Sequence, residues 1–211
     1  LCRALIGLLP IRGGEVRFNG RNLLDLPGSL LRKELQSLQM VFQDPLACLN
    51  PNMTIGQAIS DPLLIHGLCN KSQAKEKTRE LLSQVGLNPP EIFQNRYPKE
   101  LSGGQLQRVA IARALSLNPK VLICDESISM LDVEIQVEIL ALLRSLQQQL
   151  GLAILFITHD LLVANGFCNR LLVMDQGRIV EEGSSEEIFN TPQNDITKKL
   201  ILACPKLLLV S

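Results

Sequence analysis

The sequence predicts an α/β fold built on a parallel sheet whose two faces are covered by helices. Three observations predict it. Residues 121–124, 153–158 and 170–174 are short apolar runs of strand length. Those runs are continuous rather than alternating, as in strands buried on both faces. Helical periodicity fills intervals between them, most clearly over residues 133–150. With 211 residues, 46% of them apolar and 20% charged, the chain has the profile of a folded domain with room for one core and a satellite subdomain.

Taken in order, residues 1–9 place Leu1, Ala4, Leu5, Leu8 and Leu9 on one helical face. No capping residue precedes them, so the expectation is a chain that opens inside a helix, with sequence missing upstream. Glu15-Val16-Arg17-Phe18 reads as a strand entering a tight turn at Asn19-Gly20. Residues 36–42 read as a strand ending at Gln43. Residues 44–100 change character, with prolines at 45, 51, 62, 89, 90 and 98 and a helical segment around 74–85. They read as a mostly helical subdomain. A helix follows over 106–117, with Leu106, Val109, Ala110, Ala114 and Leu117 on one face. After residue 121, strands and helices alternate, and Asp175-Gln176-Gly177 turns the chain into a last strand over 178–181.

Lys plus Arg and Asp plus Glu balance at 21 each, which removes the basic excess of a nucleic-acid binder. The six cysteines form no C-x-x-C pair and no zinc spacing. They read as reduced, buried thiols. No apolar run approaches the ~20 residues needed to cross a bilayer, and no signal peptide is recognisable, so membrane association is expected to go through a partner.

Four places carry chemistry. Leu101-Ser102-Gly103-Gly104-Gln105 precedes a helix: Ser102 can cap it, and two glycines let backbone N–H groups approach an anion. An ordinary Ser-Gly-Gly cap is the alternative. Asp125-Glu126 ends an apolar strand, where ligands bind in open α/β sheets. One acid there can hold Mg²⁺ and the other can take a proton from an attacking water, unless both are solvated loop acids. His159 ends the next apolar strand and is one of only two histidines, either structural or aimed at the same pocket. Gln43 ends a strand too. A neutral amide can bind a cation and a water, or serve as a polar loop residue.

The order of these features resembles the ABC ATPase family along nearly the whole chain. Gln43 matches the Q-loop, Ser102-Gly103-Gly104-Gln105 the signature, Asp125-Glu126 Walker B, Ser129-Met130-Leu131-Asp132 the D-loop and His159 the switch histidine. The resemblance implies a P-loop NTPase-like (RecA-like) core divided as 1–43, 44–104 for the helical signature subdomain, 105–195 for the rest of the core, and 196–211 as a C-terminal extension. It implies ATP and Mg²⁺ as ligands. Gln43 and Asp125 would hold Mg²⁺, Glu126 would act as general base, and His159 would contact the γ-phosphate. Ser102, Gly103, Gly104, Gln105 and Asp132 would complete ATP sites shared head to tail with a second ATPase subunit, identical or related. Further implied partners are transmembrane permease subunits and, indirectly, an extracytoplasmic solute-binding protein, with no nucleic acid. The implied location is peripheral, on the cytoplasmic face of the plasma membrane.

Val41-Phe42-Gln43-Asp44-Pro45, Leu49-Asn50-Pro51, Met53-Thr54 and Asp61-Pro62-Leu63 resemble the peptide and nickel importer ATPases, as do Thr197, Leu200, Ala203 and Pro205 in the tail. Some members of that group continue into a cysteine cluster for an iron–sulfur centre. Only Cys204 is present in this tail, and no such centre is expected. Two departures stand out. Residues 1–211 contain no Gly-x-x-x-x-Gly-Lys-[Ser/Thr] segment, so the expectation is a core lacking its N-terminal strands and Walker A loop and inactive by itself. Met130 stands where the family usually has Ala. Two rival readings are a catalytically incomplete remnant serving as a partner-binding module, and a soluble ABC ATPase of translation or DNA repair. The interval between Gln43 and Ser102 has room for a small helical subdomain and none for the coiled coil of the latter class.

Overall fold

A computed structural model describes residues 2–11 and 13–204. Leu1 of the expected first helix, Pro205 and the rest of the tail through 211 lie outside the described residues. The chain divides into two compact units, Leu1–Ile157 and Thr158–Ser211.

In the first unit, α1 (Cys2–Leu5) is shorter than the periodicity suggests. Gly7, at φ +77°, ends it in a Schellman motif: Leu8 N–H donates to the Arg3 carbonyl at 2.8 Å and Gly7 N–H to that of Ala4 at 3.0 Å. Leu8 and Leu9 are therefore turned off the helical face and are 57% and 52% exposed. β1 (Arg17–Phe18) and β2 (Arg21–Asn22) form the expected hairpin, with positive φ at both Asn19 and Gly20. α2 (Gly28–Leu35) leads into β3 (Leu38–Val41).

Between β3 and the signature segment every regular element is helical, namely α3 (Ile55–Ile65), α4 (Lys71–Gln84) and α5 (Pro90–Phe93) with short 3₁₀ turns. Capping boxes set the starts of the two longer helices, Thr54 with Gln57 and Asn70 with Gln73. Ile55, Ile59, Leu63 and Leu82 bury completely between them. α6 (Gly103–Leu115) then returns toward β3. Its helix begins earlier than the periodicity predicts, because Ser102 and Gln105 close a third capping box.

β4 (Val121–Asp125), α7 (Val133–Leu150) and β5 (Ala153–Ile157) complete the unit. The sheet order is β3-β4-β5, parallel throughout, with Val41 opposite Cys124 and Asp125 opposite Ile157. Leu122, Ile123 and Cys124 are fully buried, as expected for a central parallel strand. Gly151 in the left-handed conformation ends α7 and releases the chain into β5.

The second unit contains α8 (Leu161–Phe167), β6 (Arg170–Asp175), β7 (Arg178–Ser184), α9 (Ser185–Asn190) and α10 (Asp195–Ala203). β6 and β7 pair antiparallel across a two-residue turn with positive φ at Gln176 and Gly177. The alternation in the sequence suggests strands of the parallel sheet here. The turn is too short for a crossover, so the last two strands are a hairpin. Its inward face, Leu171 and Val173, packs with Ala164 and Ile188.

Candidate functional site

The site grows from the carboxyl ends of β3 and β4. Because these strands are parallel and in register, the residues just past them, Gln43 and Glu126, emerge side by side. Gln43 Nε2 donates to Glu126 Oε2 at 3.0 Å, and both side chains are half-buried. That bond uses the amide nitrogen of Gln43 and leaves Oε1 as its oxygen donor. Asp125, the last residue of β4, is half-buried as well. Arg3 of α1 approaches Asp125 Oδ2 at 4.0 Å. An exposed pair of this kind is worth about 0–1 kcal/mol and mainly orients the carboxylate. Cys2 lies close enough that burial first, and the charge of Asp125 second, push its thiol pKa up.

Glu126 carries φ +47°, a left-handed backbone that a non-glycine residue holds only when its surroundings fix it. Those surroundings are visible. Its N–H donates to the Ile157 carbonyl of β5 at 3.0 Å. Its own carbonyl accepts from Ser129 twice, from N–H at 3.1 Å and from Oγ at 2.9 Å. The Asp-Glu pair is thus built into the sheet rather than placed on a mobile loop.

The N-terminus of α6 faces the loop that follows Glu126. A Cβ added to Gly103 would meet Leu131 Cδ2 at 3.3 Å, and one added to Gly104 would meet Ile135 Cγ2 of α7 at 2.7 Å. At Gly104 a Cβ is therefore excluded unless Ile135 shifts, whereas at Gly103 the Leu131 methyl would have to give by only a few tenths of an ångström. Ser102 Oγ accepts from Gln105 N–H at 3.3 Å, and Gln105 Oε1 accepts from Ser102 N–H at 3.1 Å. This leaves the N–H groups of Gly103 and Gly104 in the first helical turn, which have no intrahelical acceptor. Ser102 and Gly103 are exposed, as an anion site requires. Asp132 precedes α7, exposed and without a side-chain cap bond.

Of the residues expected from sequence, the structure brings together Gln43, Asp125 and Glu126, and places Ser102, Gly103, Gly104 and Gln105 at the α6 start within the same unit. His159 belongs to the second unit, where it is exposed and is followed by Asp160, whose Oδ1 caps α8 through Leu162 and Val163 N–H at 2.9 and 3.2 Å. Sequence reading missed Arg3, Ile135 and Gln107. The first two gave no signal short of tertiary packing. Gln107 did, as a polar residue on the apolar face of a helix.

Among the described residues no cluster of three or more His, Cys, Asp or Glu could hold a metal, and no helix is long and apolar enough to cross a membrane. Residues 1–129 match the family model described as ABC transporter. The glutathione import ATP-binding protein GsiA of Pectobacterium atrosepticum is 45% identical over 203 residues, covering 96% of this chain and 32% of that protein. The oligopeptide transport ATP-binding protein OppF of Salmonella typhimurium is 45% identical over 204 residues, covering 96% of this chain and 60% of that one. The chain thus spans about a third and three fifths of the length of these relatives. Among solved structures, the dimeric post-hydrolysis state of the ATP-binding cassette MJ0796 bound to ADP and Pi superposes with a TM-score of 0.76 at 30% identity, over 87% of this chain and 78% of that one. The cbiO1 protein of Clostridium perfringens, part of the ABC transporter complex cbiONQ, gives 0.79 at 28% identity, over 96% and 78%.

Proposed function

This chain belongs to the ABC transporter family, and from that premise we propose that it is the ATP-binding and ATP-hydrolysing part of an importer subunit for peptides or a related small solute. The observation that carries the reading is the Gln43–Glu126 hydrogen bond at the ends of neighbouring parallel strands, beside Asp125. It joins an amide, a base and a second carboxylate at one sheet edge, the set needed to orient and deprotonate an attacking water. The relatives named for glutathione and oligopeptide import favour peptides over nickel as the solute class.

The donor chemistry fits Mg²⁺. Asp125 and Gln43 Oε1 are hard oxygen donors, and one or two protein oxygens suffice for a cation that also takes phosphate and water oxygens. Bound there, the cation would neutralise phosphate charge. Gln43 would orient the water and Glu126 would accept its proton. Ser102, Gly103, Gly104 and Gln105 would present N–H and side-chain groups to ATP held on a partner subunit, with Asp132 beside them, and His159 would contact the γ-phosphate. The partners in this reading are a second ATPase subunit, identical or related, transmembrane permease subunits, and a solute-binding protein acting through them. The location is peripheral on the cytoplasmic face of the membrane. The division 1–43, 44–104, 105–195 and 196–211 is supported, for its second part, by the purely helical content between β3 and α6.

Residues 1–211 carry no phosphate-cradling Gly-x-x-x-x-Gly-Lys-[Ser/Thr] segment, whose backbone N–H groups and lysine hold the β- and γ-phosphates. A protein consisting of these residues is therefore expected to show no ATP turnover. Joining a strand and phosphate loop from a relative ahead of residue 1 should produce magnesium-dependent turnover. Steady-state phosphate release from both proteins checks this. Turnover by 1–211 that Glu126→Gln abolishes would refute the first expectation. A soluble fusion that binds ATP without ever hydrolysing it would favour the partner-binding remnant.

A further inference from the structure

The apolar core of the second unit is Ala164, Leu171, Val173 and Ile188, with Cys168, Val180 and Phe189 packed around it, and it includes no side chain of α10. Ile196 and Ile201 of α10 are half-buried, Leu200 and Leu202 are exposed, and the buried residue of the helix is Thr197, a polar one. What meets the start of this helix is a carboxylate. Glu181 of β7 accepts from the N–H groups of Gln193 and Asn194, where the chain turns into α10, at 2.7 Å to Oε1 and 3.1 Å to Oε2. Thr197 Oγ1 has no hydrogen bond of good geometry, and the same carboxylate is the acceptor beside it. That hydroxyl first, then the two N–H groups and the charge of Lys198, hold the Glu181 carboxyl below the usual carboxylate range, against the opposing effect of burial. Asn194 Nδ2 adds a longer bond to the Val180 carbonyl, at 3.4 Å.

We propose that Glu181 is the catch of a conformational latch: its carboxylate holds α10 closed on β7, and without it α10 opens as a unit while the hairpin stays folded. Charge-assisted hydrogen bonds are the stronger kind, and a carboxylate at the start of a helix also meets the positive end of its dipole. The attachment is nonetheless concentrated on one side chain. The hairpin has its own support. β6 and β7 pair from Arg170 opposite Ser184 to Asp175 opposite Arg178, and their inward face is covered by α8 and α9. The two neighbouring glutamates divide these tasks, since Glu182 pairs with Arg170 across the hairpin while Glu181 serves α10. Elements held by separate contacts can open separately, and α10 has few buried apolar contacts to oppose opening. At its far end Cys204 reports on closure. Its Sγ donates to the Leu200 carbonyl at 3.4 Å, and burial first, then the charge of Asp160, push its thiol pKa up.

Hydrogen exchange and thiol alkylation on the 211-residue chain, both read by peptide mass, test the latch without needing turnover. Glu181→Ala removes both acceptor oxygens, Glu181→Gln keeps one oxygen and loses the charge, and Thr197→Val replaces the hydroxyl by a methyl in nearly the same shape. In the Ala variant the amides of 196–203 are expected to exchange about tenfold faster, with those of 170–184 unchanged. The Gln and Val variants should fall between it and the wild type. Cys204 should react faster with iodoacetamide in the same order, because opening removes the burial that raises its pKa. If apolar contacts hold α10, the Val variant exchanges no faster than the wild type and the Gln variant matches it, and that result overturns the proposal. Equal acceleration of 170–184 and 196–203 in the Ala variant overturns it too, because the hairpin and α10 would then be one cooperative unit. Should the Ala variant fail to fold, the same comparison of 196–203 with 170–184 in the Gln and Val variants decides.

Discussion

Glu126→Gln, made in a fusion that hydrolyses ATP, should lower kcat by about 10²–10⁴-fold, the range for removal of a general base. ATP binding should survive. A glutamine at 126 still offers an oxygen to Gln43 Nε2, which now donates to Glu126 Oε2 at 3.0 Å, and the backbone contacts of this residue to Ile157 and Ser129 do not involve its carboxylate. Geometry is therefore retained while the proposed proton acceptor is lost, which separates binding from chemistry. ATP then stays intact between subunits, so size-exclusion chromatography with Mg-ATP should show a stable dimer. An unchanged monomer with full hydrolysis would reject both the role of Glu126 and the two-subunit mechanism.

Gly104→Val should cost about 1–3 kcal/mol of stability, the usual penalty of overpacking. A Cβ at Gly104 falls 2.7 Å from Ile135 Cγ2. That methyl sits on the β-carbon of a branched side chain whose χ1 is stiff in a helix, so it yields only through an unfavourable rotamer or a shift of the α7 backbone. Any gain from replacing a helical glycine is roughly 0.5–1 kcal/mol, too small to reverse the sign. Adding Ile135→Ala opens the space, and the pair should recover part of the loss, a coupling in the range of about 0.5–3 kcal/mol. Urea denaturation of the two single variants and the double variant measures it. Simple additivity would show that the glycine is there for a ligand alone.

The parallel sheet, the long helix over Val133–Leu150 and the glycine turns were legible because each rests on a local pattern: continuous apolar runs, 3.6-residue periodicity, and Asn-Gly or Gln-Gly at positive φ. Less of α1 was legible, since Leu8 and Leu9 keep helical spacing while Gly7 has already ended the helix. For the site, residue type and order singled out Gln43, Asp125 and Glu126 without saying that the first bonds the third. That contact depends on strand register, which relates residues 83 positions apart. The pressure of Ile135 on Gly104 and the burial of Gln107 are likewise products of how α6 meets its neighbours, and no one-dimensional pattern encodes them.

The order β3-β4-β5 also has a kinetic consequence. β4 and β5 are joined by one local crossover through α7, whereas β3 and β4 are separated by everything from Phe42 to Lys120, including four helices. Lengthening a loop adds little to its closure entropy, about 0.6 kcal/mol per doubling, but contacts distant in sequence form slowly. Refolding should therefore assemble β4, α7 and β5 as an early nucleus, with β3 zipping onto the finished edge last. Glu126 would find its Ile157 contact in that nucleus and wait for Gln43, so competence for chemistry would trail the burial of the core. Pulse-labelled exchange during refolding should protect Ala153–Ile157 before Leu38–Val41, and the reverse order would place the nucleus on the other side of β4.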